Sequence, residues 1–528
     1  MRDTFVEDRL PPPELLPEFG FDLPELRYPE RLNAAAELLK GGKPDSPAVV
    51  NDHGRWTYAE LDDFSGRIAR LLVEQEGLVP GNRVLLRGPN GYTLFAAWLG
   101  VLKAGGVVVA TMPLLRPGEI ATVIERAEIS HSIVDSRFIG DFRQGAEQTR
   151  FIKSIVKYDG DHGHGELETR AEELDPLPPA DTGRDDPALI AFTSGTTGVP
   201  KGCVQFHRDV LAPCDSFARH LIGMQPGDVA LTSAPLAFTF GLGAAFLFPL
   251  RAGAACATIE QANPQLMLEA IARHGVTHLA TAPTAYKAML SQPLLDAALE
   301  TLRYCLSAGE HLPEATWRAW NERTGIAITD GIGSTEMMHI FIAAAGDAIR
   351  PGATGKAVPG YEACVLGPAN QPLVEGTGRL AVKGPTGCRY LDDPRQRDYV
   401  VNGWNVTGDT YRRDSDGYYW YLARSDDMIV SSGYNIGAPE VENALLSHPA
   451  VAECAVIGVP CEERGQKVKA FVVLAADATQ SDELVAELQA HAKAQIAPYK
   501  YPREIEFVEA LPKTATGKLR RVELRNRS

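Results

Sequence analysis

The sequence has no Cys-x-x-Cys pair, no apolar run as long as a membrane span and no excess of positive charge. Its eight cysteines, at 203, 214, 256, 305, 364, 388, 454 and 461, lie mostly among apolar neighbours, which argues against a zinc knuckle or a disulfide framework and for reduced thiols. The apolar stretch GLGAAFLFPL (241–250) stops at Arg251, short of the roughly 20 residues a bilayer crossing needs. Lys plus Arg number 52 against 68 Asp plus Glu, a net charge of −16 that repels a phosphate backbone, so nucleic acid is not an expected partner. The opening MRDTFVEDRLPPPELLPEF is acidic and proline-rich with no apolar h-region, so no secretory signal is read there and a cytoplasmic protein with no membrane partner is expected.

What is present is a chain of 528 residues, too long for one core, with 45% hydrophobic and 23% charged residues. Helical and strand patterns alternate: WTYAELDDFSGRIARLLVE reads helical, RVLLRG as a strand, LFAAWLGVLKAG helical and VVVATM as a strand. The polar, Pro/Gly-rich residues 159–186 read as a surface connection, in which the His162 and His164 pair is a solvated loop rather than a metal site. Charge and glycine interrupt the pattern in ARSDDMIVSSGYNIG (423–437). The expected division is therefore 1–425 and 426–528, the second unit a small α+β domain ending in the basic loop PKTATGKLRR.

Chemistry concentrates in TSGTTGVPKG (193–202), which follows the apolar strand pattern ALIAF (188–192). Hydroxyls, glycines that let the backbone approach an anion and one lysine are the groups a nucleotide triphosphate requires. An ordinary polar turn is the alternative for this loop alone. Neither it nor 512–519 has the Gly-x4-Gly-Lys-Ser/Thr spacing of a P-loop, so another class of ATP enzyme is implied.

Four further segments follow in order: DGIGSTEMMHIF (330–341), VTGD (406–409), ARSDDMIVSSGYNIGAPEVE (423–442) and PKTATGK (512–518). With the first loop they resemble the adenylate-forming superfamily of acyl-CoA synthetases, peptide-synthetase adenylation domains and luciferases, over essentially the whole chain. The resemblance implies an α/β multidomain fold: a large N-terminal domain of β-sheets flanked by helices and a small mobile α+β C-terminal domain. It implies that a carboxylate attacks the α-phosphorus of ATP, with Mg²⁺ and fixed donors neutralising the developing charge, and that coenzyme A takes the acyl group. By the same resemblance Thr193, Ser194, Gly195, Thr196, Thr197 and Lys201 hold the β- and γ-phosphates, Thr335 the α-phosphate, and Glu336 the metal. A lone Thr-Glu pair would otherwise read as a helix cap. Asp409, whose alternative is a turn aspartate, matches the carboxylate that accepts the ribose hydroxyls, and Arg424 the ribose-contacting arginine. Ser307, Ala308, Gly309 and Glu310 match the loop along the adenine and acyl group. Relatives often place an aromatic residue two before the Gly of Gly-x-Thr-Glu; here stand Asp330, Gly331 and Ile332, and the adenine-stacking side chain is left open. Lys518 matches the adenylation lysine, Asp426 the hinge and Gly433 the loop facing the pantetheine channel.

Within the superfamily, APLAFTFGLGAAFLFPL (234–250) and DGIGSTEMMHIF resemble the benzoate-CoA ligase branch, and MRDTFVEDRLPP with CRYLDDPRQRDYV (388–400) the 2-aminobenzoate-CoA ligases. Phe238, Phe240, Gly241, Ile332, Gly333 and His339 are the pocket candidates, with core packing the alternative for the aromatics and a core histidine for His339. The expected partners are a small aromatic carboxylic acid, ATP and coenzyme A. A homodimer and a lysine acetyltransferase acting on Lys518 are further expectations. The rival functions are a stand-alone enzyme that loads a carrier protein, a luciferase-like oxygenase and a catalytically silent binding protein.

Overall fold

The computed structural model describes residues 2–193, 199–425, 427–431, 434–461, 463–513 and 519–527. Four sheets organise them. The first has six strands in the order Ser154–Tyr158, His131–Asp135, Arg83–Arg87, Val107–Thr111, Pro187–Thr193 and Lys201–Phe206, parallel except for the last, antiparallel pair. Strands covered by helices on both faces read as continuous apolar runs rather than alternating ones. The chain obeys this: all residues of Arg83–Arg87 and the first five of Pro187–Thr193 are buried.

A second sheet of nine strands has a parallel centre. It runs from Ile328–Gly333 through Tyr304–Ser307, His278–Thr281, Val229–Thr232 and Ala255–Ala257 to Pro47–Asn51, with antiparallel strands at both ends. Helix Tyr58–Arg70 starts on a capping box in which Thr57 and Glu60 satisfy each other's backbone N–H groups, and its lower face buries Leu61, Ile68 and Ala69. Helix Tyr92–Lys103 is buried at every position, as an element wedged between layers should be.

A third, antiparallel sheet carries Trp404–Arg413 paired with Tyr419–Arg424. Beyond it, the hairpin Val451–Cys461 and Gly465–Leu474 joins Glu504–Phe507 and the short strands Ile429–Ser431 and Tyr434–Ile436. Helices Ala438–Leu446 and Asp482–Gln495 pack over this sheet on their own apolar core, which includes Val441, Leu445, Val456, Val468 and Leu488.

The 159–186 segment is more than a surface connection, because Glu166–Glu172 forms a helix. Leu167 and Ala171, four residues apart, give that turn one buried apolar face amid polar neighbours. Among the described residues no helix is long and apolar enough to cross a membrane.

One buried ion pair fixes the seam on which the site depends. Residues 388–391 dock on Lys201–Phe206: the Val204 N–H donates to the Arg389 carbonyl at 2.8 Å, and the Leu391 N–H to the Gly202 carbonyl at 2.8 Å. Arg389 Nη1 meets Asp209 Oδ2 at 2.7 Å, with both side chains essentially excluded from solvent, and the guanidinium lies over the rings of Phe206 and Phe19 at 4.1 and 4.3 Å. Removing one partner of such a pair leaves an uncompensated buried charge, at a cost of about 3–5 kcal/mol. Asp209→Ala is therefore expected to lower the denaturant midpoint by an amount in that range; an unchanged midpoint would contradict the role given to this pair.

Candidate active site

The strand end at Thr193 and the strand start at Lys201 are cross-strand partners, so the two ends of the hydroxyl-rich segment stand opposite each other. Ser194, Gly195, Thr196 and Thr197 lie outside the described residues, as do Asp426, Gly433 and Lys518. Thr193 Oγ1 is buried with no hydrogen-bond partner among the described residues, a polar atom in need of one.

Lys201 Nζ donates to Tyr390 Oη at 2.6 Å and lies 3.5 Å from Glu336 Oε1, while the Tyr390 hydroxyl donates to that same Oε1. The ammonium also faces the rings of Tyr390 and Tyr399, at 4.5 and 5.9 Å from their centroids. Burial and the Glu336 carboxylate hold the Tyr390 phenol far above its ordinary range, so it stays protonated.

Thr335 and Glu336 do not begin a helix. They sit in a tight turn between the strands Ile328–Gly333 and Ile340–Ala343. Gln205 Nε2 donates to the carbonyls of Thr335 and Glu336 at 3.0 and 3.3 Å, the Met337 N–H donates to Ser334 Oγ at 3.2 Å, and Thr386 Oγ1 donates to the Met337 carbonyl at 2.8 Å. Met338, at φ 65°, occupies the left-handed region that a residue with a side chain rarely visits, and this reversal directs the chain into His339.

His339 is buried against Phe248, Phe217 and Phe240, with ring centroids 4.6, 5.6 and 5.7 Å away. Its Nε2 contacts the Phe240 carbonyl at 3.3 Å, which places the proton there, and Nδ1 has no partner among the described residues. Burial pushes its pKa down to about 3, so the imidazole is neutral at physiological pH. Phe238 and Phe240 are half-buried at the start of the helical turn Thr239–Leu242, and Ile332 pairs with Ile342. Gly241 and Gly333 are demanded by the backbone: a Cβ would lie 2.3 Å from the Pro235 carbonyl oxygen at the first and 2.6 Å from the His339 carbonyl oxygen at the second.

Ser307 and Asp330 face each other at the carboxyl ends of adjacent parallel strands, the end at which open α/β sheets bind ligands. Ser307 and Ala308 are buried, Gly309 turns the chain at φ 91°, and Glu310 and Gly331 flank this end. Asp330 Oδ1 is buried without a partner among the described residues, and burial, opposed by hydrogen bonding from the Gly331 backbone and the Ser307 side chain, pushes this carboxyl up to about 7. Asp409 and Arg424 are register partners, 3.6 Å apart in ion-pair contact. A Cβ on the preceding Gly408 would meet the Arg424 guanidinium at 2.3 Å and displace it.

Among the described residues no three His, Cys, Asp or Glu side chains converge as a metal cage. Glu336 nevertheless offers a nearly buried hard oxygen donor beside Lys201, which suits Mg²⁺, an ion commonly held by one or two carboxylates together with substrate phosphates and water. Tyr390, Gln205, Phe217 and Phe248 were not legible as site residues in the sequence. Tyr390 stands 189 positions from Lys201, and only strand docking joins them.

The model of the AMP-binding enzyme family matches residues 39–389, and that of the AMP-binding enzyme C-terminal domain matches residues 440–518. The chain belongs to the AMP-binding enzyme family. It is 36% identical over 516 residues to the benzoate–CoA ligase of Thauera aromatica, covering 95% of this chain and 97% of that one. The structure of the anthranilate CoA ligase AuaEII with anthranoyl-AMP superposes with a TM-score of 0.90 at 32% identity, covering 96% of this chain and 99% of that one. A benzoate CoA ligase from Burkholderia xenovorans LB400 superposes at 0.85 with 34% identity, covering 93% and 99%. The α/β fold, its large N-terminal and small C-terminal domains and the branch expected from the motifs agree with these relatives.

The folded-state pKa of Asp330 lies above its ordinary value of 3.8, so the native protein binds this proton more tightly than the unfolded chain. Its contribution makes stability fall as pH rises from about 4 to about 7 and level off above. Asp330→Asn should flatten that decline and raise the denaturant midpoint at pH 8 relative to the unsubstituted protein, with little change at pH 4. Parallel pH profiles would refute the assignment.

Proposed function

We propose that the chain is an ATP- and Mg²⁺-dependent aryl-CoA ligase that joins an aromatic carboxylate to AMP and then passes the acyl group to the thiol of coenzyme A. Benzoate or 2-aminobenzoate is the acid. The observation that carries this reading is that one turn, 334–339, bears both the carboxylate tied to Lys201 and the neutral histidine packed among phenylalanines. Polar groups suited to a triphosphate and an apolar cage suited to a ring are thereby held side by side.

In this reading Thr193, Ser194, Gly195, Thr196, Thr197 and Lys201 take the β- and γ-phosphates, Thr335 donates to the α-phosphate, and Glu336 holds Mg²⁺. When bound, the ion neutralises charge on the phosphoryl oxygens. Asp409, an acceptor-only carboxylate, receives the ribose hydroxyls with Arg424 beside it, and the Ser307–Glu310 and Asp330–Ile332 segments border the base. The acid's carboxylate attacks the α-phosphorus and pyrophosphate leaves. Lys518 places a positive charge between the two reacting anions, and binding fixes them in line. Phe238, Phe240, Gly241, Gly333 and His339 bound the ring site. A cationic histidine there would attract the acid's carboxylate away from phosphorus, whereas the neutral His339 does not.

The thiol then attacks the acyl carbon, with AMP as the leaving group. The division at 425/426, with Asp426 as hinge and Gly433 at the thiol channel, allows Lys518 to withdraw before this step. Acetylation of Lys518 by an acetyltransferase would remove the charge the first half-reaction uses. The resemblance to an anthranilate ligase bound to its adenylate supports the aryl substrate, and the buried, unpartnered Nδ1 of His339 favours an acid carrying a hydrogen-bond donor on the ring.

Two measurements test this. AMP release with ATP, Mg²⁺ and coenzyme A across benzoate, 2-aminobenzoate, 4-hydroxybenzoate, phenylacetate and octanoate, with thioesters identified by mass, should be greatest for benzoate or its 2-amino derivative. Turnover confined to octanoate or phenylacetate would overturn the aryl assignment, and no coenzyme A thioester from any acid would favour carrier loading. Lys518→Ala should reduce adenylate formation by at least about 100-fold, the scale of losing one electrostatic stabiliser. It should spare thioester formation from supplied acyl-AMP; equal loss of both halves would contradict the alternation.

A further inference from the structure

We propose that Tyr390 is a positioning residue for the adenylation site: a neutral bridge that keeps Lys201 and Glu336 from neutralising each other. The inference rests on the ligase reading above, because it concerns how this chain presents those two charges to Mg²⁺ and triphosphate.

The geometry is specific. A phenol has one proton to donate and lone pairs to accept with, so it can serve an anion and a cation at once. Tyr390 does so, giving its proton to Glu336 Oε1 while accepting from Lys201 Nζ at 2.6 Å. The ammonium is held 3.5 Å from the carboxylate, longer than a charge-assisted N–H···O bond of about 2.7–2.9 Å. The ring is buried at 1% exposure and cannot swing away. The Tyr390 backbone N–H donates to Gln396 Oε1 at 2.9 Å, its chain is paired with Cys203, and the adjacent Arg389 is locked on Asp209.

Without the hydroxyl, Lys201 and Glu336 are close enough to close into a direct pair. An ammonium satisfied by a carboxylate is a poorer phosphate donor, and a carboxylate satisfied by an ammonium is a poorer metal ligand. Tyr390 thus orients the side chains that meet the ligands, as partners behind metal ligands commonly do at a cost of about 10–100-fold when lost.

The test is calorimetric binding of ATP, with and without Mg²⁺, to the full chain, its Tyr390→Phe and Lys201→Met variants, and the double variant, with melting temperatures recorded alongside. Tyr390→Phe should weaken Mg²⁺–ATP binding about tenfold, raise the Mg²⁺ concentration needed for half-maximal binding, and raise the KM for ATP while leaving the KM for the acid unaltered. The double variant should bind no more weakly than Lys201→Met alone, because the bridge matters only while the lysine is present. Affinity within twofold of the unsubstituted protein, or losses that simply add, would overturn the inference, as would a lowered melting temperature with unaltered affinity. Failure of the unsubstituted chain to bind ATP would count against the ligase reading itself. Normal binding there with an unaltered Tyr390→Phe would count against Tyr390 alone.

Discussion

The docking of residues 388–391 on the strand Lys201–Phe206 is the constraint on which the site depends. Two backbone hydrogen bonds and the buried Arg389–Asp209 pair make that seam, and they carry Tyr390 to Lys201 and Glu336. Burying two charges is favourable only where geometry and packing are good. Here the guanidinium is sandwiched between Phe19 and Phe206, and Asp209 also accepts the Phe206 N–H at 2.8 Å. The N-terminal segment, through Phe19, is thus part of the support of the site.

The site solves an electrostatic problem posed by the whole chain. A protein of net charge −16 repels the anionic substrates of the proposed reaction. Attraction must then be local, and the positive groups the structure brings to the site include Lys201, facing two tyrosine rings, and Arg424 opposite Asp409. Burial does complementary work on the neutral members. It keeps His339 uncharged within its phenylalanine cage and raises Asp330 towards neutrality at the sheet's carboxyl end. The left-handed backbone at Met338 lets one short turn present Glu336 to the polar side and His339 to the apolar side.

Much of the fold was legible in the sequence, for identifiable reasons. RVLLR, VVVAT and ALIAF read as buried strands because sheets covered on both faces leave continuous apolar runs. The expectations for Glu336, Asp409 and Arg424 rest on short motifs whose residue types match one chemical task, and the structure brings Glu336 to Lys201 and Asp409 to Arg424. The Glu166–Glu172 helix was not, since Leu167 and Ala171 are a sparse apolar signal among charges. Nor was Tyr390: in CRYLDDPRQRDYV nothing local separates it from a packing tyrosine, and its partners are set by long-range pairing. The motifs point to Gly241 and Gly333 as pocket walls, while the close approach of Pro235 and His339 carbonyls supplies a backbone reason for each glycine.

The central claim is that this site forms an acyl adenylate before any thiol takes part. Isotope exchange between labelled pyrophosphate and ATP, run with benzoate or 2-aminobenzoate and Mg²⁺ in the complete absence of coenzyme A, tests it most directly. The account predicts exchange that requires the aromatic acid and proceeds without the thiol. Exchange that appears only when coenzyme A is added, or that ignores the acid, would contradict it.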